Sequence, residues 1–300
     1  NIPTKSMSSS STDEPPKLSA SEILAKAGQR ALGGGLPGAM AMGIQVTSLM
    51  WLRTTMNYQY RHGTTTLQAL KHLYSEGGVR RFYRGYGPAM FQGPLSRFGD
   101  TAANSGMNSL LNNVEWAKNW PVFLKTGAAS FTAASWRIFL MPIDACKTIL
   151  QVEGKDGLKI LRKKIGAGGP RVLYHGAMAA YSATLIGHFP WFYTFNQLEE
   201  WIPQAETKLG NLGRHAVKGF VASVVSDTVS NSIRVTKTTK QTFERPVTYP
   251  EAVRSVIAKD GLIGLFGRGL KTRIIANGTQ GLVFAVLWKY FESEFFGGKK

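Results

Sequence analysis

Three hundred residues are enough for one large domain or two of ordinary size. A formal charge of +18 and an isoelectric point near 10.1 point to anionic partners: nucleic acid, an anionic membrane surface or anionic small molecules. The single cysteine, Cys146, excludes an intramolecular disulfide. Charged residues make up only 18% and are clustered, so the windows 31–52 and 172–198 contain no Lys, Arg, Asp or Glu. Each window is long enough to span about 30 Å of hydrocarbon as a helix.

In chain order, residues 1–25 read as a disordered tail, Ser/Pro-rich at first and without the Arg-rich amphipathic character of a transit peptide. Six long helices follow, at approximately 28–55, 87–112, 121–149, 178–202, 213–238 and 271–295. Short amphipathic stretches near 64–75, 155–165 and 249–259 join each odd helix to the next even one. The two charge-free windows are full of Gly, Ala, Ser and Thr, which suits helices packed closely in a membrane bundle. A soluble helical protein with a Gly-rich core is the alternative.

The order of elements occurs three times. Glycines eight residues apart recur as Gly77 and Gly85, Gly168 and Gly176, and Gly261 and Gly269, with Arg84, His175 and Arg268 directly before the second glycine of each pair. Successive second glycines are 91 and 93 residues apart. Upstream of each pair a basic residue ends an apolar stretch: Arg53, Lys147 and Arg234. The three odd-to-even connections hold 22 of the 36 Lys and Arg, and the two even-to-odd connections hold 5. One face is therefore strongly basic, the pattern expected of loops left on the side where insertion started. A nucleic-acid binder would need neither six apolar spans nor this sidedness.

The second copy contains "MPIDACKTILQ" (141–151) and then "YHG" (174–176). With the threefold spacing, these residues resemble the mitochondrial carrier family, whose repeats carry Pro-x-Asp/Glu-x-x-Lys/Arg and later an aromatic–Lys/Arg–Gly element. The resemblance covers roughly 25–296. It implies an all-α membrane protein in which a single domain, 26–296, holds six transmembrane helices in three pseudo-symmetric repeats (26–112, 121–202 and 213–296) with short matrix-side helices. It further implies a place in the mitochondrial inner membrane, both termini in the intermembrane space, and transport of an anionic or zwitterionic metabolite by alternating access. No catalytic or metal-ligand constellation is visible, so an enzyme is not expected, and no cofactor is expected beyond bound cardiolipin.

The resemblance also assigns roles to residues. Pro142 would kink the third helix. Arg53, Asp144, Lys147, Gln151, Asn231 and Arg234 would form the matrix gate, aligned on the basic residue of each copy. In that register Met50 and Asn231 stand where the acid belongs, and Ser48 and Val229 where the proline belongs. Substrate contacts fall seven to eight residues after each second glycine, including Gln92, Thr184 and Asn277. Arg97, Arg137 and His188, costly inside a membrane, could bind a carboxylate or phosphate. Alternatively, Arg97–Asp100 and Arg137–Asp227 lock helices together and His188 is a satisfied core residue. Arg84, Gly85, Gly176, Arg268 and Gly269 are expected to bind cardiolipin at even-helix starts. The incomplete gate leaves two functions open: a working carrier, or a carrier-derived accessory subunit of a large inner-membrane assembly such as a respiratory complex.

Overall fold

A computed structural model describes residues 20–281, which form helices and connecting turns without a strand. The expected tail before residue 20, and the part of the sixth helix beyond 281, lie outside the described residues. The helices are α1 (Ala20–His62), α2 (Thr66–Ser75), α3 (Gly78–Phe82), α4 (Tyr86–Asn113), α5 (Glu115–Lys118), α6 (Val122–Phe139), α7 (Met141–Glu153), α8 (Gly157–Gly168), α9 (Ala177–Trp201), α10 (Lys208–Thr242), α11 (Tyr249–Gly267) and α12 (270–281).

Local chemistry sets the boundaries. α2 and α11 begin with reciprocal capping boxes, Thr65 with Gln68 and Thr248 with Glu251. The third long helix is divided at Leu140 into α6 and α7, with Pro142 in the first turn of α7, where its missing N–H is tolerated. The corresponding stretches of α1 and α10 contain no proline and run unbroken. The second glycines all take left-handed backbone, Gly85 at φ 82°, Gly176 at φ 92° and Gly269 at φ 66°, and each stands at the start of an even helix. The first glycines are less uniform: only Gly261 has positive φ, whereas Gly168 ends α8.

The long helices close into a ring. α1 packs on α4 through Val46, Met50 and Ala89. α4 meets α6 where Trp136 Nε1 donates to the Leu95 carbonyl (2.9 Å). α6 meets α9 where the Ser130 hydroxyl lies 2.5 Å from His188 Nδ1. The Ser226 hydroxyl of α10 donates to the Gly187 carbonyl of α9 (2.7 Å). Arg273 of α12 reaches Asp227 of α10 (2.6 Å), and Ala276 packs on Leu49 and Leu52 of α1, completing the circle. α2, α8 and α11 lie at one end of it.

The ring is inverted relative to a water-soluble bundle. Phe220, Val221, Val225 and Val229 of α10, and Ile186, Phe189 and Tyr193 of α9, are exposed on the outside. Lys218, Asp227, Ser230, Asn231 and Thr184 are buried. Among the described residues, no helix is long and apolar enough to cross a membrane. The longer helices have the length, at about 1.5 Å per residue, but no stretch of them is apolar enough.

Candidate functional site

The glycines fix the register of the three copies. A Cβ on Gly85 would lie 3.0 Å from the Lys147 carbonyl oxygen; on Gly176, 3.0 Å from Lys237 Cγ; on Gly269, 3.2 Å from the Met56 carbonyl oxygen and 2.8 Å from the Tyr60 ring. Lys147, Lys237 and Met56 are thus equivalent positions. Three residues earlier stand Asp144, Arg234 and Arg53; four residues later stand Gln151, Gln241 and Tyr60.

Three buried cations confirm this register. Arg81 donates to the carbonyls of Gln151 (2.8 Å) and Val152 (2.7 Å). Lys164 donates to those of Gln241 (2.8 Å) and Lys240 (3.4 Å). Arg268 donates to those of Tyr60 (3.3 Å) and Arg61 (3.2 Å). Each cation comes from the short connecting segment of one repeat and neutralises the carbonyl end of an odd helix in the next. Glu76 and Asp260 support Arg81 and Arg268 at 2.5 and 2.7 Å. Among the described residues Lys164 hydrogen-bonds only to carbonyls, and burial together with Lys240 and Arg61 pulls its ammonium down to about 8.

This register corrects the sequence-based gate. Arg53 and Arg234 do not occupy the basic position of the motif; they occupy the acidic one, so two of the three acids are inverted in charge. The spacings Arg53–Asp144 and Asp144–Arg234, 91 and 90 residues, match those of the second glycines better than the basic-residue alignment does. Asn231 is not an acid substitute either, since its amide donates to the carbonyls of Phe266 (2.7 Å) and Arg268 (3.1 Å), outside any acid–base ring. Lys237 and Gln241 are the residues beside Asp144 that the alignment missed. The available signal was the Lys-x-x-x-Gln spacing, shared by 147–151 and 237–241.

The ring therefore centres on one carboxylate. Buried Asp144 receives Lys147 of its own helix at 2.7 Å, Lys237 of α10 at 2.5 Å and the Gln241 amide at 3.3 Å. Lys147 also donates to Gln92 (2.9 Å). Gln151 accepts from Asn57 of α1 (2.6 Å), tying a second pair of helices. Arg53 donates to the Gln280 amide oxygen (2.7 Å) and Arg234 to the Ser230 hydroxyl (3.2 Å). Among the described residues no carboxylate pairs with either arginine.

Above this ring the expected substrate residues divide. Gln92 and Arg137 line an internal cavity of about 70 Å³ with Ser96, Asp144, Arg234 and Lys237. Arg137 forms a two-point pair with Asp100 (2.7 and 3.3 Å) and donates to Thr184 (3.1 Å), so Thr184 is held beside it. Asp227 pairs with Arg273, and with Asn277 as well, instead of with Arg137. His188 faces Ser130. Arg97 lies part-buried on α4. Of the expected lipid residues, Arg84 borders a 360 Å³ pocket with Arg80, Gly154 and Lys155, whereas Arg268 is committed to Asp260 and the α1 carbonyls.

A family model described as "Mitochondrial carrier protein" matches residues 25–114. The match takes in α1 through α4, the first of the three equivalent units defined by the glycines and buried cations. Over that unit the chain is similar to the mitochondrial carrier family. A curated carrier, "Calcium-binding mitochondrial carrier SAL1" of Saccharomyces cerevisiae, is 24% identical over 229 residues. That match covers 66% of this chain and 41% of the relative, so it spans less than half of the relative's length. Within this chain, the second repeat keeps the full acid–base signature and the other two keep its glycines.

Proposed function

We propose that this chain is a carrier of the mitochondrial inner membrane that moves a small anionic or zwitterionic metabolite by alternating access, with the end bearing α2, α8 and α11 in the matrix and both termini in the intermembrane space. The observation that carries the reading is the internal cavity bounded by Gln92, Ser96, Arg137, Asp144, Arg234 and Lys237, in which the cations outnumber the carboxylate, inside a ring whose outer face is apolar. Converging guanidinium and ammonium groups favour a carboxylate or phosphate. Reconstitution in liposomes tests this: uptake above empty vesicles is expected for at least one small anion, amino acid or nucleotide, and Arg137→Ala should abolish it. Absence of exchange across such a panel would remove the transport reading. Cardiolipin is proposed to bind at the starts of the even helices, supported by left-handed Gly85, Gly176 and Gly269 and by the pocket of Arg80, Arg84 and Lys155.

One observation favours a second reading, a transport-inactive accessory subunit of a larger inner-membrane complex. With Arg53 and Arg234 at acid positions, the ring has one carboxylate left with which to close and reopen. Native electrophoresis in mild detergent distinguishes the two: migration near 32.8 kDa plus lipid supports the carrier, and stoichiometric migration with a far larger assembly supports the subunit.

A further inference from the structure

The inverted ring places cations where its repeat symmetry calls for carboxylates. Asp144 already serves Lys147 and Lys237. Arg137 is committed to Asp100 and Thr184, and Arg273 to Asp227. Arg234, on the cavity wall, uses its Nε on the Ser230 hydroxyl, leaving four of a guanidinium's five N–H donors for other partners. Arg273 interacts electrostatically with both Arg53 and Arg234. Like charges held together in a low-dielectric interior repel strongly, so a closed ring of this composition needs a counter-charge.

We propose that the ring binds a single small oxyanion, a phosphate or carboxylate group, seated in the cavity between Arg234, Arg137 and Lys237, and that this anion takes the structural place of the carboxylate absent from position 234. The cavity volume of about 70 Å³ suits one such group and is too small for a nucleoside. Donors converge on it from three helices, Gln92 and Ser96 of α4, Arg137 of α6, and Arg234 and Lys237 of α10, while Asp144 of α7, already paired with Lys147 and Lys237, is the carboxylate on its wall. A guanidinium fork matches an oxyanion in two-point geometry. Closure of this end then depends on anion occupancy, whereas an acid–base ring closes on its own side chains. The inference rests on reading the ring as a carrier gate, but its test reads binding rather than transport.

The test is thermal unfolding of the purified full chain in mild detergent, followed by thiol-reactive labelling of Cys146, which is half-buried on α7. Inorganic phosphate is compared with sodium chloride at equal ionic strength. Phosphate should raise the midpoint by several degrees over chloride. Arg234→Glu should raise the midpoint in chloride and remove the phosphate increment. Arg234→Gln should also remove the increment, which keeps the test decisive if the Glu variant does not fold. In Arg84→Gln the increment should persist; its loss there would place the phosphate at the lipid-facing pocket and overturn the proposal. Equal midpoints in phosphate and chloride, or an increment surviving in Arg234→Gln, would overturn it as well. A phosphate increment without vesicle uptake would retain the anion site and remove the carrier reading; uptake without an increment would do the reverse.

Discussion

Asp144 and Lys237 join α7 to α10 at 2.5 Å, 93 residues apart in sequence, and theirs is the inter-helix acid–base contact that the ring retains. Asp144 is buried, and loss of one partner from a buried pair costs about 3–5 kcal/mol. Asp144→Asn is expected to destabilise by about that amount. Lys237→Gln should cost less, because Lys147 still faces the carboxylate. A double-mutant cycle in chemical or thermal unfolding should return a coupling of about 1–3 kcal/mol for Asp144 with Lys237, and a much smaller one for Asp144 with Arg53. Equal couplings would contradict the register that sets Arg53 level with Asp144.

The three helix-end cations are not equivalent energetically. Arg81 and Arg268 each satisfy two carbonyls and hold a carboxylate, so Arg81→Met or Arg268→Met should lower stability by roughly 2–3 kcal/mol through unpaired buried groups. Among the described residues Lys164 forms no ion pair, and its ammonium is pulled down to about 8 in the folded chain against 10.5 in the unfolded one. Between those values the unfolded state holds more protons, so this residue makes stability rise with pH through that window. Unfolding midpoints measured from neutral pH to about pH 10 should show that rise. Lys164→Met should flatten it and leave stability at neutral pH nearly unchanged.

His62 acts in the same direction, but at acidic pH. Burial first, then Arg61, Lys259, His72 and Arg268, hold its imidazole down to about 4 in the folded chain. As pH falls from about 6.5 towards 4 the unfolded state binds the proton first, and stability drops. His62→Gln is expected to retain more of its neutral-pH midpoint at mildly acidic pH than the parent. Parallel melting curves for the two proteins across that range would rule His62 out as the cause.

Gly99 is a packing requirement of the α4–α6 seam. A Cβ there would lie 1.9 Å from the Trp136 ring, which is anchored by its own hydrogen bond to the Leu95 carbonyl. Gly99→Ala should destabilise by about 1–3 kcal/mol, the usual range for overpacking. Adding Trp136→Leu should recover part of that loss; no recovery would mean that the clash is relieved elsewhere.

The features legible in the sequence are those with local causes. Left-handed backbone at Gly85, Gly176 and Gly269 admits few residues other than glycine, so the threefold period could be read directly. Pro142 suits the first turn of a helix, where its missing N–H is tolerated, and the Thr65 and Thr248 caps act within four residues. Helix order, and therefore the repeat architecture, followed from these. The partner of each charge did not, because it depends on how helices distant in sequence face one another. Aligning on Arg53, Lys147 and Arg234 gave every copy a base, but a three-residue shift rotates a helix position by nearly a full turn and looks equally good in one dimension. Only the approach of each glycine to the preceding or following odd helix showed that Arg53 and Arg234 stand level with Asp144. The same holds for Asp100 with Arg137 and Asp227 with Arg273, pairs chosen by neighbouring helices in the closed ring and invisible to spacing along any one of them.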